Sequence, residues 1–169
     1  MTYLLARPAL GRRLGRSQPT SFETGLLDRL RADVGDKPES YLQGVEVIFA
    51  ALFLSERDRG RPMSPDTRKA FNQLWSLQVN EGPSRGSWDW LIVDLDPWEQ
   101  AESTYFGAAL AALAAGNAGA AYVADVSVAS HLAALTAFLR TPSPVRPLHD
   151  RLALLWASSK QRELLSGAE

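Results

Sequence analysis

The sequence predicts an all-α chain of about three helical hairpins, on the strength of three observations. Helix-start signals precede apolar segments with a 3.6-residue period, and no segment alternates apolar and polar residues as a half-buried strand does. The chain also resembles itself when shifted by 63 positions. The spacing predicts helices over 21–33, 40–56, 65–79, 99–115, 126–140 and 146–159.

Each helix has a local reason. Thr20 and Glu23 have capping-box spacing ahead of Phe22, Leu26, Leu27 and Leu30. The stretch from Tyr41 to Leu54 is apolar at helical spacing. Ser64 and Pro65 supply an N-cap and a first-turn proline, after which Ala70, Phe71, Leu74, Trp75 and Leu77 share a face. Asp96, Pro97 and Glu99 repeat that pattern before the run from Ala108 to Ala115. Leu132 to Leu139 and Leu148 to Ala157 close the set.

The self-similarity sets Gly44 on Gly107, and Ala50 and Ala51 on Leu113 and Ala114. One further residue of shift sets Ala70, Phe71, Leu74 and Trp75 on Ala134, Leu135, Phe138 and Leu139. The repeating unit is a helical hairpin, and stacked hairpins make an open superhelix or a closed ring of inner and outer helices. The small side chains of 105–115 suit an inner helix packed on both sides, and the Phe, Trp and Leu stripes suit outer ones.

The chain has 169 residues, 46% of them hydrophobic, enough for one domain with a core of its own. With 18 basic and 19 acidic residues it lacks the basic surplus of a general nucleic-acid binder. The absence of Cys removes disulfides, thiolate nucleophiles and Cys-ligated metals, and two His leave no His-rich metal site. The most apolar run, Tyr105 to Gly116, is shorter than the roughly 20 residues of a transmembrane helix. Residues 1–20 contain Arg7, Arg12, Arg13 and Arg16 and no acid. They are expected as a basic arm, frayed or docked on a partner, ahead of a helical domain over 21–165. A peripheral contact with an acidic membrane surface is the alternative role for that arm; the missing Cys leaves the redox compartment undecided, with a cytoplasmic location favoured.

Residues 74–116 carry Gln78 late in a helix, then Gly86-Ser87-Trp88, Glu102-Ser103-Thr104 and a Gly/Ala-rich helix from Gly107 to Leu113. This segment resembles the squalene–hopene cyclase and terpene-cyclase-like α/α toroid family, whose repeated Q-x(2–5)-G-x-W motif precedes an inner helix. The resemblance implies an α/α toroid-like array forming half of a ring of about six hairpins. It implies that Gln78 caps helix ends, stacks on Trp88 and ties neighbouring hairpins. It further implies an apolar, isoprenoid-type small-molecule ligand, isomerase or cyclase chemistry in an active member, no cofactor, and a second copy or partner chain to complete the ring. Seven residues separate Gln78 from Gly86, more than the motif has, and the D-x-D-D acid motif of class II cyclases is not in the sequence. The nearest string is Asp94-Leu95-Asp96-Pro97, which makes Asp94 and Asp96 the candidate catalytic acids.

The side chains themselves leave alternatives. Asp94, Asp96, Glu99 and Glu102 form a carboxylate cluster suited to acid catalysis or a hard cation, or simply to capping the next helix. Trp88, Trp90, Trp98, Tyr105 and Phe106 form an aromatic group that would line an apolar site or pin the long connection from Asn80 to Pro97. Glu46 would point toward a cavity if its helix lines one, or join Gln43 in a polar stripe. His149 and Asp150 are adjacent, and neighbours on a helix do not ordinarily face each other. His131 is expected to face solvent. A carbohydrate-active toroid with paired carboxylates is a third, weaker reading.

Overall fold

The computed structural model describes residues 2–15, 18–34, 43–93, 95, 97, 99–100, 103–142, 146–161 and 164. Helices α1 (Thr2–Arg13), α2 (Ser21–Asp33), α3 (Gln43–Asp58) and α4 (Pro65–Ser76) precede a long connection. Then follow α5 (Thr104–Ala118), a single turn α6 (Ala120–Val123), a 3₁₀ turn (Val126–Val128), α7 (Ala129–Leu139) and α8 (Leu148–Ser158). The chain is all-α; among the described residues the only extended pairing is one isolated bridge between Leu95 and Glu99. No helix among them is long and apolar enough to cross a membrane.

The capping signals act as expected. Glu23 N–H donates to Thr20 Oγ1 (3.2 Å) and Thr20 N–H to Glu23 Oε2 (2.5 Å), closing the box at the start of α2. At the α3–α4 corner, Asp58 Oδ2 accepts from Ser64 N–H (2.7 Å) and the Thr67 hydroxyl (2.6 Å), while Thr67 N–H donates to Ser64 Oγ. Burial works against the Asp58 charge, but those hydrogen bonds prevail and hold its carboxyl below the ordinary carboxylate range.

Two expectations are corrected. The arm is a helix: α1 packs on α3, Leu5 lies against the core, and Arg7 Nε sits 3.0 Å from Glu23 Oε1. Tertiary contact, absent from a local pattern broken by Pro8, supplies its stability. The fifth helix starts at Thr104 instead of 99. Val93 N–H bonds Glu99 O, Glu99 N–H bonds Leu95 O, and Gln100 N–H bonds Ser103 Oγ, so this stretch closes on itself before the helix begins.

Helix α5 is the axis of the core. It packs against α3 on one side and α8 on the other, with α4 behind α3 and α7 against α5. Every residue from Gly107 to Ala115 is buried, so the Ala run does make a helix enclosed on nearly all faces. Helix α8 meets it with its small side chains, burying Ala153, Ala157 and Ser158. Just past the end of α8 the chain stays on α5: a Cβ on Gly116 would collide with Lys160 Cβ, and Gln161 Nε2 donates to Ala112 O (2.5 Å). Full burial of Phe71, Ile48, Leu52, Leu74, Leu113 and Leu135 contributes roughly 1.5–3 kcal/mol for each side chain.

Gln78, Gly86 and Trp88 tie α4 to α7. Gln78 Nε2 donates to Gly86 O and His131 O, both at 3.1 Å, and His131 Nδ1 lies 2.7 Å from Gln78 Oε1. Gly86 has φ +95° and lies so close to Ala134 that a Cβ would strike its carbonyl. Trp88 Nε1 donates to Leu74 O (2.7 Å), and its ring tilts against Trp75 at 5.8 Å. His131, expected in solvent, stacks on Trp75 at 5.3 Å and is half-buried, because the 78–88 connection folds over it.

Candidate functional site

The face formed by α3, α5 and α8 opposite α4 and α7 holds an open groove of about 620 Å³. Its walls follow helical rows. Val45 and Phe49 stand one turn apart on α3, Phe106 and Leu110 on α5, and Leu152 and Trp156 on α8. Trp90 and Leu91 close one side from the long connection, and Leu5 of α1 reaches in from another. Glu99 and His149 bring charge-bearing groups to an otherwise apolar lining.

Aromatic rings run along this groove in contact. Phe53 stacks on Phe49 (5.6 Å), Phe49 tilts against Trp90 (6.3 Å), Trp90 meets Phe106 edge-on (6.1 Å), and Phe106 meets His149 edge-on (5.6 Å). The repeat glycines make room for the connection that positions Trp90. A Cβ on Gly107 would strike the Trp90 ring, and one on Gly44 would strike the Asp89 carbonyl. Positions related by the 63-residue repeat therefore receive successive residues of one loop.

His149 Nε2 lies 3.2 Å from Asp150 Oδ1, and Asp150 is 1% exposed. The pair corrects the expectation that adjacent helix residues do not meet. Side chains lean toward the helix N-terminus, and in the first turn of α8 no preceding turn separates them. The contact places the imidazole beside the Asp150 carboxylate at the groove wall, although the two facing atoms, Nε2 and Oδ1, make no hydrogen bond.

Of the other sequence-derived candidates, Trp88 and Tyr105 lie outside the groove lining. Trp88 is fully buried between α4 and the connection, away from the groove lining. Tyr105 is a buried strut: its hydroxyl donates to Leu139 O (2.8 Å), and Arg146 covers its ring at 3.4 Å. Burial pushes the Tyr105 hydroxyl pKa up. Glu46 is half-buried beside the groove, whose α3 wall is formed by Val45 and Phe49. Asp94, Asp96, Trp98 and Glu102 lie outside the described residues. Among the described residues no three His, Asp or Glu side chains converge to hold a metal ion.

Sequence reasoning missed Phe49, His149, Leu152 and Trp156 as groove residues. A signal was present in 148–158, where Leu148, Leu152, Leu155 and Trp156 fall on one face and Ala153, Leu154 and Ala157 on another. Next to an Ala-rich helix, the small residues take the interface and the large ones are left exposed. No protein-family model, curated protein or solved structure matches the chain.

Proposed function

We propose that this chain is a terpene-cyclase-like helical domain, half of an α/α ring, that holds an apolar, isoprenoid-type ligand in the α3–α5–α8 groove. The carrying observation is the continuous aromatic series from Phe53 to His149 along an open groove of about 620 Å³, a volume usual for small-molecule sites. Support also comes from Gln78, which links α4 to α7 much as the resemblance implies. The proposed role is binding, since the D-x-D-D motif is not in the sequence.

Geranylgeraniol titrated into the purified chain is expected to bind saturably, and Leu152→Glu to weaken it at least tenfold. Leu152 is 56% exposed, so its replacement leaves the fold intact. Absence of saturable binding of either geranylgeraniol or squalene would rule the proposal out.

One observation favours a second reading, a non-catalytic module that docks a partner chain or a second copy. Leu148 and Leu155 of α8 are 67% and 60% exposed and do not line the groove. An apolar helix face of this kind suits a protein interface. Sedimentation of the wild type and of Leu148→Glu/Leu155→Glu tests it. A concentration-dependent dimer abolished by the pair of changes supports docking, and a monomer throughout opposes a second copy.

A further inference from the structure

A second cavity, of about 570 Å³, lies beside the groove and has the opposite chemistry. Arg7 and Arg12 of α1 and Arg57, Arg59 and Arg61 at the end of α3 line it, with Glu23 and Glu56 as counter-charges. Arg7 is engaged by Glu23 at 3.0 Å and Arg59 by Glu56 at 3.1 Å. Among the described residues, Arg12, Arg57 and Arg61 have no carboxylate within ion-pair distance. The C-terminal ends of α1 and α3 each offset about half a charge. Glu56 attracts Arg12 and Asp58 attracts Arg57 at longer range, but five arginines against two glutamates line the cavity, so by residue count it keeps a positive surplus.

The two cavities share a wall. Phe53, the first ring of the aromatic series, lines both. Helix α1 lies along the boundary, with Leu4 facing the arginine cavity and Leu5 the groove. The two cavities meet at buried Phe53 and at α1, so a molecule with an apolar chain in the groove would reach the guanidinium cluster only with its head across that shared edge. Guanidinium groups match phosphate oxygens in forked pairs, and an exposed cluster of them acts on an oxyanion through charge and geometry together.

From this juxtaposition we infer that the arginine cavity binds the phosphate-type head group of an amphiphile whose chain lies in the adjoining groove. The chain's place rests on the groove function proposed above; the head group's place rests on the arginines alone. Free phosphate would satisfy the same guanidiniums, and the measurement separates the two sources.

The test compares monomeric dodecyl phosphate, dodecanol and inorganic phosphate by titration calorimetry on the full chain. Dodecyl phosphate is expected to bind at least tenfold more tightly than dodecanol and than inorganic phosphate. Arg57→Gln/Arg61→Gln should reduce its advantage over dodecanol to within about twofold and leave dodecanol affinity unchanged. Both substitutions are at exposed positions, and circular dichroism checks that the fold persists. Equal affinity for dodecyl phosphate and dodecanol would overturn the head-group assignment and leave the apolar groove standing. Inorganic phosphate binding as tightly as dodecyl phosphate would overturn the link between the cavities. Arginine-dependent binding of dodecyl phosphate without binding of dodecanol would uphold the head group and remove the neutral-ligand proposal. Binding of neither amphiphile overturns both.

Discussion

Replacing Gln78 by Leu removes the tie between α4 and α7 while keeping a side chain of similar volume. Gln78 is 4% exposed and has contacts with Gly86 O (3.1 Å), His131 O (3.1 Å) and His131 Nδ1 (2.7 Å). A buried polar group left without its partner costs about 1–3 kcal/mol. Gly86 is buried and bears that cost, whereas half-buried His131 recovers part of its bonding from water. The expected loss is about 2–4 kcal/mol, a fall in Tm of about 5–15 °C for a chain of this size. Urea denaturation followed by far-UV circular dichroism measures it. A double-mutant cycle with His131→Phe, which keeps an aromatic ring beside Trp75, isolates the pair and should give a coupling of about 1 kcal/mol. A loss below about 0.5 kcal/mol with no coupling would refute the tie.

Gly86→Ala forces a Cβ toward the Ala134 carbonyl at φ +95°, so a loss of about 3 kcal/mol or more is expected in the same assay. Gly107→Ala displaces the Trp90 ring from α5 and should lower ligand affinity in the groove, read by titration with geranylgeraniol. Burial raises the Glu56 carboxyl pKa above its ordinary value of 4.5, against the pull of Arg59, Lys160 and Arg12. A raised carboxylate supports the fold while protonated, and that support is lost as pH rises through the raised value. Glu56→Gln should therefore stabilise the chain near neutral pH and change little at about pH 3.5, as denaturation at both values would show.

Much of the architecture was legible because its causes are local. Thr20 with Glu23 and Ser64 with Pro65 mark starts that backbone N–H groups require, and the Ala run excludes any outward-facing polar stripe on α5. The repeat was legible at Gly44 and Gly107, where close approach of the Asp89 and Trp90 connection leaves no room for a Cβ. Helix α1 was not, since it rests on Leu5 and the Arg7–Glu23 pair, contacts made across the fold. The same holds for His131, whose solvent-facing pattern within α7 carries no trace of the connection that covers it. In the site, the aromatic character of the connection was apparent, but its division was not. Trp88 and Trp90 are two residues apart; one enters the core beneath Leu74 and the other faces the groove. That choice is set by the path of the loop between α3 and α5, which residue types alone do not specify.

Fluorine NMR of the chain labelled with 5-fluorotryptophan tests the groove most directly, because the tryptophans report on different surroundings. Trp90 and Trp156 line the groove, whereas Trp75 and Trp88 are buried together near α4. On saturation with geranylgeraniol, the Trp90 and Trp156 resonances should shift while those of Trp75 and Trp88 stay in place. Shifts confined to Trp75 and Trp88, or no shift at a saturating concentration, would contradict a ligand site between α3, α5 and α8.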